Sequence, residues 1–372
     1  MRIGVPKEIK NHEYRVGMTP AAVRELTARG HEVFVETHAG EGIGLDDASY
    51  TRVGAKMLPN ADEIFATADM IVKVKEPQPV EIKRLRKGQT LFTYLHLAPD
   101  PEQTKGLLES GAVCIAYETV TDARGGLPLL APMSEVAGRM SIQAGAHSLE
   151  KAQGGLGMLL GGVPGVPAAK VVVLGGGVVG TNAARMAMGL EAHVTILDVS
   201  LHRLNELDLQ FGAMLNTIFS TIDAVEEYVT SADLVIGGVL LPGAAAPKLI
   251  TRKMVSQMKK GSVIVDVAID QGGCAETSHA TTHADPTYMV DGVVHYAVAN
   301  MPGAVARTST FALNNATLPF TIALAELGPD AAMKKNPHLR AGLNVYKGTL
   351  TYKAVGDAQG IPSKSAEEVL GV

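Results

Sequence analysis

The stretch Val171-Val-Val-Leu-Gly-Gly-Gly-Val-Val-Gly180 decides the fold of this chain. Four apolar residues lead into a Gly-x-Gly-x-x-Gly turn, and the small residues Thr181-Asn-Ala-Ala184 follow it. Gly175 allows a tight turn, Gly177 lets the backbone approach a pyrophosphate, and Gly180 lets a helix pack against the strand. The N–H groups at the start of that helix would face the phosphates. The stretch therefore predicts a strand, a turn and a helix that bind a dinucleotide.

Asp198 indicates which dinucleotide is bound. It ends the predicted strand His193–Leu197, about 20 residues beyond the glycines, where a carboxylate accepts hydrogen bonds from the adenosine ribose. A carboxylate at this position repels a 2′-phosphate, which favours NAD over NADP. Arg203 lies nearby in sequence and could meet such a phosphate, so the sequence alone keeps NADP as the alternative.

Composition limits the classes of function. A chain of 372 residues is long enough for two domains, and its net charge of −5 offers no basic surface for nucleic acid. No uncharged apolar run reaches the ~18–20 residues that cross a bilayer, and the charged N-terminus does not resemble a signal peptide. Cys114 and Cys274 have no CxxC neighbour and are predicted to be reduced thiols. We expect a cytoplasmic protein with neither nucleic acid nor membrane as a partner.

Short apolar runs alternate with helical patterns along the chain. Strands are predicted at 2–6, 31–35, 70–75, 89–95, 112–117, 170–174, 193–197, 234–237, 262–269 and 295–299. Helices are predicted at 20–29, 79–86, 101–110, 134–153, 180–189 and 308–328, around Leu204 and Met254, and as short segments in the C-terminal tail. Strands separated by helices predict parallel sheets with helices on both faces. The fold class is therefore α/β, with two doubly wound Rossmann-like domains and a cleft between them.

Four ionisable residues follow predicted strands, where ligands of open α/β sheets bind. They are Arg15, Lys75 and His96 in the first half of the chain and Asp270 in the second. Arginine matches a carboxylate with two hydrogen bonds, and a lysine can polarise a carbonyl. Histidine carries protons near neutral pH, and an aspartate can orient water or ammonia. The set predicts a 2-oxo or 2-amino acid as substrate.

Each of these residues also has a structural interpretation. Arg15 could be a solvated loop residue, and Asp270 could cap the segment that follows it. His96 follows an apolar run, so a core or helix-capping histidine is as compatible with the sequence as a catalytic one. Lys73 and Lys75 alternate on the same face of their predicted strand, and the pattern does not choose between them.

Longer motifs are more specific than the glycine turn. They are Met1–Glu8, Glu13–Val16, Val72–Pro77, Phe92–Leu97, Leu130–Arg139, Gly161–Gly165, Val265–Gly273 and Val298–Pro302. Over these stretches, and essentially over its whole length, the chain resembles the alanine dehydrogenase/NAD(P) transhydrogenase alpha-subunit family. The resemblance implies reversible oxidative deamination of L-alanine to pyruvate and ammonium, with hydride transfer to NAD.

The resemblance also assigns residues and assembly. It implies that Arg15 and Lys75 bind the substrate carboxylate and carbonyl, and that His96 and Asp270 are the acid/base pair. It implies cofactor contacts from Ser134, Gly175, Gly177, Val178, Val179, Gly180, Asp198, Arg203, Ser220, Val239, Leu240, Ile269, Asp270, Val298, Asn300 and Met301. It further implies a homohexamer, in which residues 129–306 form an NAD-binding domain inserted into a substrate domain of 1–128 and 307–372. Some relatives carry metal ligands where this chain has Ala323 and Leu327, so no magnesium is expected there.

Three other functions remain to be separated from this one. The NAD-binding component of a proton-translocating transhydrogenase is similar in sequence but works with membrane segments. A 2-hydroxyacid dehydrogenase shares the inserted-domain layout but would not depend on ammonium. A non-catalytic NAD-binding protein would bind NADH without turning over any amino acid.

Overall fold

A computed structural model describes residues 1–239 and 246–372 of the chain. Its internal contacts divide into two compact units. The first unit comprises Met1–Met133 together with Val305–Val372, and the second comprises Ser134–Ala304. No helix in the described ranges is long and apolar enough to cross a membrane.

The N-terminal part of the first unit alternates strands with helices. In chain order these are β1 (Arg2–Val5), α1 (Pro20–Thr27), β2 (Glu32–Glu36), α2 (Asp47–Thr51), β3 (Lys56–Leu58), α3 (Ala61–Thr67), β4 (Met70–Val72), α4 (Pro79–Ile82), β5 (Thr90–Thr93), α5 (Pro101–Ser110) and β6 (Val113–Ala116). Helix α1 begins as predicted, because Thr19 accepts a hydrogen bond from the backbone N–H of Ala22 and Pro20 occupies the first helical position. Helix α6 (Ala131–Ser148) then leads into the second unit.

The second unit contains the glycine turn. Its elements are β7 (Lys170–Leu174), α7 (Val178–Gly189), β8 (His193–Asp198), α8 (Leu201–Phe211), β9 (Leu215–Phe219), α9 (Ile222–Ser231), β10 (Leu234–Gly237), α10 (Arg252–Gln257), β11 (Val263–Asp266), β12 (Thr287–Val290) and β13 (Val293–Tyr296). The remaining elements belong to the first unit and are α11 (Ala306–Leu327), α12 (Pro329–Lys335), α13 (Pro337–Arg340), β14 (Leu343–Tyr346), β15 (Thr349–Leu350), α14 (Lys353–Gln359) and α15 (Ala366–Leu370).

Both units contain a doubly wound parallel sheet, as predicted. The first sheet has the order β15-β14-β6-β5-β4-β1-β2-β3, and the second has the order β12-β13-β11-β10-β7-β8-β9. In each, six parallel strands run outward in both directions from the first of them, so the order reverses beside β1 and beside β7. Loops that follow the strands on either side of such a reversal form a crevice in which ligands bind. Ligands are therefore expected at the loops after β1 and β4 in the first sheet, and at the loops after β7 and β10 in the second.

Burial explains the apolar strand sequences. Strands β4, β5, β6, β10 and β11 are buried along their whole length, as expected for parallel strands covered by helices on both faces. Cys114 lies in β6 as predicted, and both it and Cys274 are buried free cysteines. Burial raises the pKa of Cys114 to about 12, which keeps its thiol protonated and unreactive.

Several predicted boundaries are wrong. The strand predicted at 262–269 ends at Asp266, and the strand predicted at 70–75 ends at Val72. The helix predicted at 134–153 ends at Ser148, with a separate 3-10 turn at Lys151–Gln153. Asp266 itself explains the first of these errors. Its carboxylate accepts hydrogen bonds from backbone N–H groups eight and nine residues further on, which draws the chain out of the strand.

Candidate active site

Four neighbouring strands of the first sheet are followed by segments that carry ionisable residues. The loops after β1, β4, β5 and β6 carry what we call the N-terminal cluster: Glu13, Arg15, Lys75, His96 and Glu118. Because β6, β5, β4 and β1 are consecutive in the sheet, their carboxyl ends open on the same edge. The cluster therefore lies around the reversal of strand order in the first unit.

Arg15 is a buried residue. It is only 2% exposed, which excludes the solvated-loop interpretation. Its Nε and Nη2 donate hydrogen bonds to the two carboxylate oxygens of Glu13 at 2.7 and 2.6 Å, and its Nη1 points to Met133 Sδ at 3.1 Å. Burial acts to lower the pKa of this guanidinium, but the hydrogen bonds and charge of Glu13 outweigh it and raise the pKa. Glu13 thus holds a permanent positive charge in one orientation.

Lys73 and Lys75 differ sharply in their surroundings. Lys73 is fully buried, and its ammonium is paired with Glu8 at 3.1 Å and Glu81 at 2.7 Å. Lys75 is half-buried, and its backbone carbonyl accepts a hydrogen bond from Thr93 Oγ1 at 2.9 Å. The buried ion pairs assign Lys73 to the packing of the unit. Lys75 is the lysine that this sheet edge presents.

Glu8 connects two loops of the N-terminal cluster. It lies in the loop after β1, and besides pairing with Lys73 it accepts a hydrogen bond from the backbone N–H of Val74 at 2.7 Å. Burial raises the pKa of Glu8, and the neighbouring ammonium of Lys73 opposes that rise. The contact fixes the residue just before Lys75 relative to the loop that carries Arg15.

His96 is exposed and has an unusual backbone conformation. Its side chain is 45% exposed, so it is not a core histidine, and its φ is +50°, in the left-handed region. Glu118 supports this conformation, because its Oε1 accepts a hydrogen bond from the backbone N–H of His96 at 2.6 Å. The same oxygen lies 3.8 Å from His96 Nδ1, and the imidazole stacks on the Tyr94 ring with centroids 5.7 Å apart. A strained residue held by a carboxylate and a ring is typical of functional sites.

In the second unit, the glycine turn has the geometry that its sequence predicts. Gly175 has φ +94°, and a Cβ on Gly180 would lie 1.8 Å from the carbonyl oxygen of Gly175. A Cβ on Gly177 would meet no protein atom within 4 Å, so the backbone faces open space there. Helix α7 starts directly after Gly177, and its apolar residue Val178 is 43% exposed. The turn thus leaves room for a ligand at a helix N-terminus.

Asp198 and Arg203 meet at the glycine turn. The Oδ2 of Asp198 accepts a hydrogen bond from the N–H of Gly176 at 2.6 Å, and its Oδ1 accepts one from the N–H of Ser200 at 2.8 Å. Arg203 Nε donates to the carbonyl oxygen of Gly176 at 2.7 Å, and Nη2 donates to Thr181 Oγ1 at 2.8 Å. We call Gly175–Gly180, Asp198 and Arg203 the glycine-turn cluster.

The sequence predicted Asp270 at the end of a strand, and this prediction is wrong. Asp270 is exposed on a 3-10 turn, Val267–Gln271, that follows β11. Asp266 shapes this region, because it accepts hydrogen bonds from the N–H groups of Cys274 and Ala275 and from the hydroxyl of Ser278. Asp270 is thus presented by a short turn that a buried carboxylate closes.

The other residues implied as cofactor contacts are spread over several segments of the second unit. Ile269, Val298 and Met301 are buried, and Asn300 has φ +63° with its carbonyl oxygen accepting from His283 Nε2 at 3.1 Å. Val239 follows β10 and packs where a Cβ on Gly175 would lie. Ser134 lies in α6 and Val179 lies in α7. The backbone N–H of Ser220 donates a hydrogen bond to the backbone carbonyl oxygen of Asp198. Leu240 lies outside the described residues.

Sequence reasoning missed the two carboxylates of the N-terminal cluster. Glu118 follows β6, so the rule that selected His96 after β5 would have selected it as well. Glu13 stands two residues before Arg15, and its role depends on burial that the sequence does not show. Among the residues that the structure describes, no group of three His, Cys, Asp or Glu side chains could hold a metal ion.

Comparisons with known proteins agree with one another. The model of the alanine dehydrogenase/PNT N-terminal domain matches residues 4–137, and that of the C-terminal domain matches residues 141–353. Alanine dehydrogenases of Halomonas elongata and Methanococcus maripaludis are 63% and 55% identical to the chain over 371 residues, covering 100% of each protein.

Solved structures show the same relationship. An L-alanine dehydrogenase has a TM-score of 0.94 and 53% identity, covering 97% of this chain and 99% of its own. A transhydrogenase from Sinorhizobium meliloti has a TM-score of 0.83 and 27% identity, covering 94% of this chain and 100% of its own. The resemblance indicated by the sequence motifs is confirmed. The chain belongs to the alanine dehydrogenase/PNT family.

Proposed function

We propose that the chain is an NAD-dependent L-alanine dehydrogenase, which converts L-alanine reversibly to pyruvate and ammonium. The observation that carries the proposal is the N-terminal cluster, in which Arg15, Lys75 and His96 follow three strands that are adjacent in one sheet. An arginine and a lysine match a 2-amino or 2-oxo acid, and the histidine supplies the proton carrier that deamination needs. Relatives that are named alanine dehydrogenase match the chain over its full length.

Arg15 binds the substrate carboxylate in this proposal. Glu13 already holds the Nε and Nη2 of Arg15, so the guanidinium is fixed before substrate arrives. A preorganised charge loses little conformational entropy on binding. Lys75 contacts the carboxylate and the carbonyl, or the imine that replaces it, and favours the electron-poor carbon that accepts hydride.

His96 and Asp270 move protons. NAD held at the glycine-turn cluster would supply the hydride acceptor, and Arg15 and Lys75 would hold the iminium that alanine becomes once its Cα has lost hydride. His96 removes a proton from the water that adds to this iminium, with Asp270 assisting. The same proton returns to the nitrogen as the carbinolamine collapses, so the products are pyruvate and ammonium. Replacement of His96 by alanine abolishes turnover in this account and leaves NADH binding nearly intact.

The glycine-turn cluster fits NAD. Open space at Gly177, next to the start of α7, suits a pyrophosphate, and Asp198 at the carboxyl end of β8 suits a ribose diol. The remaining cofactor contacts proposed are those implied by the family resemblance. Residues 129–306 are the NAD-binding domain in this proposal, residues 1–128 and 307–372 are the substrate domain, and the protein is a cytoplasmic homohexamer.

Ammonium dependence tests the proposal. NADH oxidation is measured with pyruvate, with and without ammonium, by the absorbance of NADH. Oxidation that requires ammonium supports amination of a 2-oxo acid. Oxidation without ammonium identifies a hydroxyacid dehydrogenase, and NADH binding without oxidation identifies a non-catalytic protein or a transhydrogenase component.

A further inference from the structure

Gly176 is held from both sides by oppositely charged side chains. Its N–H donates to Asp198 at 2.6 Å, and its carbonyl oxygen accepts from Arg203 Nε at 2.7 Å. Both charges are therefore attached to one residue of the turn. A phosphate on the ribose 2′-oxygen would come next to Asp198, and the guanidinium of Arg203 would be the nearest cation in the glycine-turn cluster to meet it.

Other groups already engage that guanidinium. Nη2 donates to Thr181 Oγ1 at 2.8 Å, and Nη1 donates to Glu206 Oε2 at 2.5 Å. Glu206 lies one turn further along α8, and the hydrogen bond from Arg203 lowers the pKa of its carboxyl, so it is ionised at neutral pH. Each of the three guanidinium nitrogens thus has a partner within the second unit.

We propose that Glu206 is a determinant of selectivity for NAD over NADP, because it holds Arg203 in the contact with the glycine turn and neutralises its charge. The inference rests on the proposed NAD-dependent function. Asp198 repels a 2′-phosphate directly, and Glu206 removes the cation that would otherwise compensate for the repulsion. Arg203 is thereby a positioning residue for the turn, although in NADP-dependent enzymes an arginine near this point binds the 2′-phosphate.

A double-mutant cycle tests the proposal. Four proteins are compared: the unsubstituted chain, Asp198→Asn, Glu206→Gln and the double variant. Asp198→Asn alone is expected to improve NADPH binding only modestly, because Glu206 still holds Arg203. In the Asp198→Asn background, Glu206→Gln is expected to raise the NADPH affinity a further two- to fivefold, roughly the effect of freeing one arginine from a partly exposed ion pair.

A matched variant controls for general charge. Asp208 is exposed on the same helix, and Asp208→Asn removes the same charge without touching Arg203. In the Asp198→Asn background it is expected to change NADPH affinity less than twofold. A further change of Arg203→Met in the double variant is expected to abolish the gain, which would identify the released guanidinium as its source.

Affinities for NADH and NADPH are read from cofactor fluorescence, and kcat/KM values accompany them. The fluorescence titration does not depend on the substrate, so the selectivity test stands even if the amino-acid chemistry is different. Equal effects of Glu206→Gln and Asp208→Asn on NADPH affinity would overturn the proposal. So would a gain that survives Arg203→Met.

Discussion

Lys73 and Lys75 are separated by a single residue, and their environments assign them opposite roles. The buried carboxylates of Glu8 and Glu81 pair with the ammonium of Lys73. Taking these three charged groups out of water costs free energy, and their pairing offsets that cost. Lys75 is half-buried at the edge where Arg15 and His96 also lie. At the scale of single residues, burial and pairing separate a structural lysine from a functional one.

The two lysines supply a matched pair of variants. Lys73→Met leaves Glu8 and Glu81 buried without a counter-charge, and we expect it to lower the free energy of unfolding by about 3–5 kcal/mol. Lys75→Met is expected to lower that free energy by no more than about 1 kcal/mol, because this side chain is only half-buried. It should lower kcat/KM for pyruvate by about 100-fold, the loss of one or two charge-assisted hydrogen bonds, with NADH affinity unchanged.

Urea denaturation and initial rates measure the two effects. Full activity of Lys75→Met would remove this lysine from the substrate site. Equal destabilisation by both substitutions would show that the difference in burial has no energetic consequence.

At the scale of elements, the turn between β7 and α7 separates packing from ligand space. Gly180 has no room for a side chain, because a Cβ would lie 1.8 Å from the carbonyl oxygen of Gly175. Gly177 has room, since nothing in the protein lies within 4 Å of such a Cβ, and its φ of −66° suits any residue. Two glycines of one motif are therefore required for different reasons.

Alanine substitutions distinguish these reasons. Gly180→Ala is expected to displace the backbone, so that both thermal stability and NADH binding fall. Gly177→Ala is expected to leave the unfolding free energy unchanged within about 0.5 kcal/mol and to weaken NADH binding at least ~10-fold, because the methyl group occupies space for the pyrophosphate. Fluorescence titration and thermal unfolding of both variants give the comparison. Undiminished NADH affinity in Gly177→Ala would contradict a pyrophosphate at this position.

At the scale of the whole molecule, most of the parallel strands were predictable and the antiparallel strands at the sheet edges were missed. Apolar runs separated by helices are a local signal, and they predicted most strands of both parallel sheets, although β3 and β9 were missed too. Strands β12 and β13 form a hairpin whose turn residues, Asp291 and Gly292, both have positive φ. An Asp-Gly pair between strands is a hairpin signal that could have identified β12. The pairing of β14 with β6 joins segments more than 200 residues apart, which no local pattern reveals.

The site was predictable to a similar degree. The strand-end rule selected Arg15, His96 and the region of Lys75 as candidates, and the structure places them after strands that are adjacent in one sheet. The rule placed Asp270 directly after a strand that was predicted to reach Ile269, whereas the strand ends at Asp266 and a 3-10 turn follows. That turn depends on hydrogen bonds that Asp266 accepts from residues further along the chain. The partners Glu8 and Glu81 of Lys73 come from two other segments, so strand alternation could not choose between the two lysines.

Transfer of hydride from the Cα of L-alanine to NAD is the central claim, and isotopic labelling tests it most directly. The protein is incubated with L-alanine deuterated at Cα and with NAD in ordinary water, and the NADH formed is analysed by mass spectrometry. We predict NADH that carries one deuterium, with pyruvate and ammonium formed in equal amounts. NADH without deuterium, or deuterium lost to solvent, would contradict direct hydride transfer from alanine.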